Sequence, residues 1–291
     1  MDRLIAAEFF KLRKRMMTWV LALIMVGLVI LLYSVLWSAS VRVSTFGEHH
    51  GFTGFDLRRA LFAPNAIPYS FQMVGSFGAI LAMILAAGSV GSEYAWGTIR
   101  VAATASSGRM RMIAAKLVVI FGFVAIGTLL AVAVALIYGF LIAAYYNSAS
   151  VDFLTTTYVR DQLASYGRTL LVMSPYVALA FAVAVIGRST LAGVGSGLGV
   201  AFIEPIVGGL MELGGSPWKD MPKFFLSTNR QVVMFQNKLP EVLPRIGGGG
   251  DNGPSGAFPP LTAELLLIGY TVAFICIALI VFRRRDIGSG Q

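Results

Sequence analysis

MTWVLALIMVGLVILLYSVLW, residues 17–37, decides the fold. No residue in it carries a charge at neutral pH, and about 20 apolar residues in a helix cross roughly 30 Å of hydrocarbon. Working outward, five further windows have the same character: residues 70–90, 112–135, 169–187, 191–210 and 261–282. The third continues apolar to Tyr146, so that helix is expected to tilt or project beyond the membrane. Hydrophobic residues make up 57% of the 291, and charged residues 13% against about 25% in an ordinary soluble domain. The expected fold is an all-α integral membrane domain of six transmembrane helices. Its parts would be an interfacial helix (1–16), spans one to five (17–210), an outer region with a re-entrant or interfacial segment (211–260), span six (261–282) and a tail (283–291).

A cleaved signal peptide competes for the first span, because Ser38-Ala39-Ser40 is small enough for a cleavage site. The apolar core exceeds the usual 7–15 residues, however, and a long charged segment precedes it, which favours a retained helix. In residues 2–15, Glu8, Lys11, Lys14 and Arg15 share one side of a helical wheel, while Ile5, Phe9 and Leu12 share the other. Such a segment is expected to lie in the membrane surface. A plain cytoplasmic extension of span one fits the pattern almost as well.

Orientation follows from the bases. With both termini cytoplasmic, the inner side carries Arg3, Lys11, Arg13, Lys14, Arg15, Arg100, Arg109, Arg111, Lys116, Arg188, Arg283, Arg284 and Arg285, against the acids Asp2, Glu8, Glu93 and Asp286. The whole net charge of +9 then sits on that side. Attraction to anionic inner-leaflet lipid accounts for it without nucleic acid. The expected location is the cytoplasmic membrane.

Several features resist a catalytic reading. Glu48-His49-His50 invites a metal, but adjacent histidines on a Gly-rich loop chelate poorly and no third ligand follows at zinc-like spacing. Ser196 has no histidine near it in sequence to act as base. The single cysteine, Cys276, reads as a small buried apolar residue. The glycines of residues 246–260 form a linker; a phosphate-binding P-loop needs a Gly-Lys pair, which the chain lacks.

Two constellations carry more. Span five holds the overlapping pairs Gly193/Gly197 and Gly195/Gly199, which let another backbone approach closely, within the domain or across a dimer. Beyond them, Glu204-Pro205 places an ionisable group and a helix break within a span, an arrangement expected at a translocation route or dimer interface. The second constellation is residues 91–116, GSEYAWGTIRVAATASSGRMRMIAAK, a polar connector between spans two and three. Its small residues, charges and aromatics suit a short helix seated in another protein's groove. Signalling of topology by charge alone is the plainer alternative.

In that connector Glu93, Tyr94, Gly97, Thr98 and Arg100, then Ser107, Arg109 and Lys116, resemble the E-x-x-x-G-T-[IL]-R … [ST]-R-x-x-x-x-x-K pattern of type-2 ATP-binding-cassette (ABC) export permeases. One departure is Gly108, standing between Ser107 and Arg109 where that family often runs Ser-Arg. Glu8, Lys11 and Arg13 are similar to the acid-then-bases order of that family's opening helix. The resemblance implies a permease subunit, not itself an enzyme, paired with a second, identical or related permease. It implies separate ATPase subunits that bind ATP and Mg, with no cofactor on this chain. Glu93, Tyr94, Gly97, Thr98, Arg100, Arg109 and Lys116 would then form the coupling segment. Lipids, peptides and drug-like molecules are all open as cargo. Two other classes stay open beside it: a polytopic enzyme acting on lipid, and a non-catalytic assembly or immunity factor.

Overall fold

The computed structural model describes residues 2–46, 58, 61–98, 108–148, 151–237 and 257–284. Six helices in it are long and apolar enough to cross a membrane, and the regular structure of the described residues is entirely helical. The protein is therefore an all-α, multi-pass membrane protein. A short helix α1 (Asp2–Lys14) precedes the first long one, α2 (Met16–Phe46). Then come α3 (Ala63–Ala95), α4 (Arg109–Tyr145), α5 (Thr156–Gly187) and α6 (Thr190–Glu212). A 3-10 turn (Trp218–Phe224) and the short α7 (Leu226–Phe235) lead to the last long helix, α8 (Pro260–Arg284).

The centre of the bundle is α3 and α5, with 72% and 61% of their most apolar windows buried; α2, α6 and α8 ring them with 17% or less buried. Small residues let the rim come close. An added Cβ at Gly91 of α3 would sit 2.2 Å from the backbone nitrogen of Thr190, so only glycine admits the start of α6 there. A Cβ at Gly193 would lie 2.6 Å from the carbonyl oxygen of Ala180, and one at Gly197 2.4 Å from the Met83 sulfur. The Gly193/Gly197 face is thus filled by α3 and α5 of the same chain. Of the two packings expected for it, the one within the domain is present, and that face is not free to meet a second copy. Gly195 faces open space.

Helix ends follow local chemistry. The Thr155 hydroxyl accepts from the Tyr158 amide to start α5, and Arg188 in left-handed backbone (φ 50°) ends it. Ser189 then accepts from the Ala192 amide at 3.4 Å to start α6. Midway along α3 a π-helical turn, Val74–Gly78, widens the helix. The Gly75 carbonyl within it accepts from the Arg230 guanidinium of α7 at 3.3 Å, a fitting use for a turn that loosens the regular ladder.

Within residues 211–260, expected as the outer region, a short helix is present, α7, whose Leu226, Val232, Val233 and Met234 are buried against the bundle. Residues 238–256, most of the Gly/Pro linker, lie outside the described residues, as do Glu48, His49 and His50. Cys276 differs from expectation: it is exposed on α8. Its helix buries one narrow stripe, so a small apolar thiol can face lipid with little penalty.

Candidate functional site

Sequence-distant charges converge where α1, α3 and α4 meet. Lys116, on α4, is 1% exposed, and its ammonium donates to Glu8 Oε2 of α1 at 2.5 Å and to Glu93 Oε1 of α3 at 2.8 Å. Glu8 and Glu93 are themselves buried, at 5% and 3% exposure. Lys11 donates to the other oxygen of Glu8 at 2.6 Å from the surface side. Arg15, in the break between α1 and α2, reaches Glu93 Oε1 at 3.4 Å, the Ser92 hydroxyl at 2.9 Å and the Ser89 carbonyl at 3.2 Å. A cation at the carbonyl end of α3 also meets the negative end of the helix dipole.

One ammonium therefore bridges two carboxylates from two other helices. Taking such ions from water costs several kcal/mol each, on the order of what their attraction returns, so this geometry specifies an arrangement more than it adds stability. Burial pushes the Glu8 carboxyl up, but Lys116 and Lys11 outweigh it and hold the group below the usual glutamate range. The second oxygen of Glu93 is buried without a hydrogen-bond partner among the described residues.

The helical wheel put Glu8 on the solvent side of α1, and here the structure differs. Glu8 and Leu12 face the bundle, while Phe9 and Phe10 are 41% and 60% exposed. The reason is Lys116: a buried ammonium on α4 needs a counter-charge, and rotating α1 supplies one.

The connector residues divide. Glu93 and Lys116 are fastenings inside the chain rather than a surface for another protein. Tyr94 is half-buried against the core. Gly97 adopts φ +68°, a left-handed conformation natural to glycine just past a helix end, and is open to solvent. Exposed Thr98 donates from its hydroxyl to the Glu93 carbonyl at 3.4 Å. Trp96 is 68% exposed, with the Arg15 guanidinium 5.6 Å from its ring centre. Arg100 lies outside the described residues, and so does the side chain of Arg109, which opens α4. Arg13 is exposed and takes no part in the cluster.

Glu204 also finds a partner at home. Its carboxylate accepts the Ser227 amide at 2.9 Å, capping the first turn of α7, whose own N-cap Phe225 offers no side-chain acceptor. Pro205 remains within the continuous α6. Two participants in these contacts were not singled out by the sequence reading. Arg15 sits among three other bases of residues 11–15 and Arg230 in a polar stretch, residues 227–231, and nothing local separates either from its neighbours.

The chain belongs to a family described as a protein of unknown function (DUF2705), whose model matches residues 60–288. No curated protein and no solved structure matches it.

Proposed function

We propose that the protein is the membrane-spanning permease subunit of an ABC-type exporter, working with separate ATPase subunits and a second permease copy. The observation that supports this reading most is the convergence of Glu8, Glu93 and Lys116. Three residues singled out by the resemblance, up to 108 positions apart, form one ion cluster at one end of the bundle. Residues that coupled only to a soluble partner would have no cause to meet inside the chain. Residues that fasten the connector to α1 and α4 would meet there, so that movement of the connector is carried into the bundle.

On this reading both termini and the connector are cytoplasmic, and the contact with the ATPase is made by exposed groups around Trp96 together with Arg100. The test is co-purification of the tagged full chain in mild detergent with a soluble subunit carrying a GxxxxGK[ST] sequence, followed by ATP hydrolysis in reconstituted vesicles. The expected result is a stable complex whose ATPase activity Trp96→Ala and Arg100→Ala weaken while the permease stays monodisperse. A chain that purifies without any nucleotide-binding subunit from its native membrane, or a complex indifferent to both substitutions, would overturn the reading.

A further inference from the structure

The other flank of α1 borders a feature the charge cluster does not use. Between α1, α2, α3 and α4, with Met173 of α5 also in its wall, lies a cavity of about 290 Å³, near the lower bound of roughly 300 Å³ for small-molecule sites. Its walls are mainly aliphatic and aromatic, with Phe9 of α1 and Phe123 of α4 among them, their ring centres 5.1 Å apart. Exposed Trp19, Ile126 and Leu130 stand on its rim, so it opens sideways toward lipid.

Its polar groups are spent within the chain, with one exception. The Thr18 hydroxyl donates to the Leu12 carbonyl at 2.7 Å, the Thr128 hydroxyl to the Val124 carbonyl at 2.9 Å, and the Trp19 indole N–H to the Arg13 carbonyl at 2.9 Å. The Arg13 guanidinium has no ion pair among the described residues. An occupant needs an apolar, slender body and a negative head beside Arg13. The lining on α2 runs from Thr18 to Met25, about 10 Å along the helix, which fits within the roughly 15 Å of hydrocarbon in one leaflet.

We propose that this groove binds an acyl chain of an anionic phospholipid from the leaflet beside α1, its phosphate held by Arg13. The site requires only that the six apolar helices lie in a bilayer, so it stands or falls independently of any ATPase partner.

Trp19 on the rim supplies the reporter. Trp37, Trp96 and Trp218 are changed to Phe in the full chain, which is then placed in nanodiscs containing phosphatidylglycerol or phosphatidylcholine with brominated acyl chains. One basic side chain near a lipid phosphate is worth about fivefold in association, so brominated phosphatidylglycerol should quench Trp19 at about one fifth of the phosphatidylcholine mole fraction. Arg13→Gln, at an exposed position, should erase that preference. Gly127 lines the groove with open space before it, so Gly127→Leu should fill the groove and lower quenching by both lipids. Gly122→Leu, on the same helix with open space but outside the groove, should leave quenching unchanged. Equal quenching by the two lipids in the Arg13 protein, or full quenching after Gly127→Leu, would overturn the site.

Discussion

Replacing Lys116 by Met preserves length and bulk while removing the one charge that two buried carboxylates share. Three estimates of the cost converge. Breaking a buried ion pair by deleting one partner costs about 3–5 kcal/mol. The two glutamate oxygens can be no farther apart than the 2.5 and 2.8 Å contacts laid end to end. Repulsion at that largest separation is about 3 kcal/mol at an effective dielectric constant near 20. Alternatively one carboxyl takes up a proton, and doing so at pH 7 from a starting pKa near 4.3 costs about 4 kcal/mol. Lys11 and Arg15 remain, but Lys11 is 43% exposed and Arg15 is 3.4 Å away, so neither replaces a buried ammonium in direct contact.

The measurement is unfolding free energy in mixed lipid–detergent micelles, titrated with sodium dodecyl sulfate. Lys116→Met should lose about 3–5 kcal/mol. Adding Glu8→Gln should recover a large part, because the repelling pair is gone. Lys11→Met should cost under about 1 kcal/mol, as exposed pairs do. A Lys116→Met protein within about 1 kcal/mol of the parent would mean that water reaches all three groups, and the buried cluster would be the wrong description.

The remaining expectations are shorter. Because the Glu8 carboxyl is held below its ordinary value in the folded protein, its stabilisation is present above that ordinary value, about 4.3, and lost as pH falls through the folded-state value. Glu8→Gln should flatten this acid limb of the stability curve; an unchanged limb would assign it to other groups. Gly193→Leu meets backbone at Ala180 and should cost at least about 1–3 kcal/mol, while Gly195→Leu, facing open space, should be close to neutral in the same titration. Glu204→Ala should cost about 0.5–2 kcal/mol as loss of the cap on α7, with Glu204→Gln losing less; equal losses would argue for a role of the charge itself. In a Cys276→Ala background, single cysteines at Ser107 and Gly249 should react with an impermeant maleimide from opposite sides of the membrane, and labelling of both from one side would reject the orientation.

How much of this was legible in the sequence varies with the kind of signal. Six apolar windows gave six helices because length against bilayer thickness is a property of each segment alone. The expected window 70–90 nonetheless begins well inside α3, which starts at Ala63: the residues that extend it, 63–69, carry Pro64, Asn65 and Pro68, which interrupt the apolar pattern, yet Ala63, Ala66, Ile67, Pro68 and Tyr69 are buried in the bundle. The turn at residues 187–190 was legible because Ser189 and Arg188 act locally. The charge cluster was not. Nothing near Glu8 announces Lys116, and the wheel that set Glu8 toward water was sound for an isolated helix. A partner on another helix reversed that face, and residue spacing holds no record of it. Glu204 shows the same limit: an intramembrane acid points to function by default, yet the unfilled cap of α7 gives it a structural task.

A residue that marks a connector between two spans can touch a partner or hold the connector to its own bundle, and burial separates these cases. Glu93 is 3% exposed and two residues before the end of α3, so it cannot be the surface another protein grips. Trp96 is just past that end and 68% exposed, with Arg15 against its ring. Arg15 also contacts Glu93, so an exposed aromatic and the buried cluster share one side chain. On the proposed reading, a push on Trp96 displaces Arg15 and with it the joint between α1 and α2, while Glu93 draws on Lys116 and α4. Three helices then respond to one contact without any of them being touched directly. Arg15→Lys separates the two halves of that path. It keeps a charge near Glu93 but removes the planar group that can face Trp96 and bond Ser92 at once. The substitution should cost little stability in the micelle titration while lowering ATPase stimulation as far as Trp96→Ala does, with no further loss when the two are combined. Additive losses in the double variant would show that Trp96 and Arg15 act separately, and the path through the joint would have to be given up.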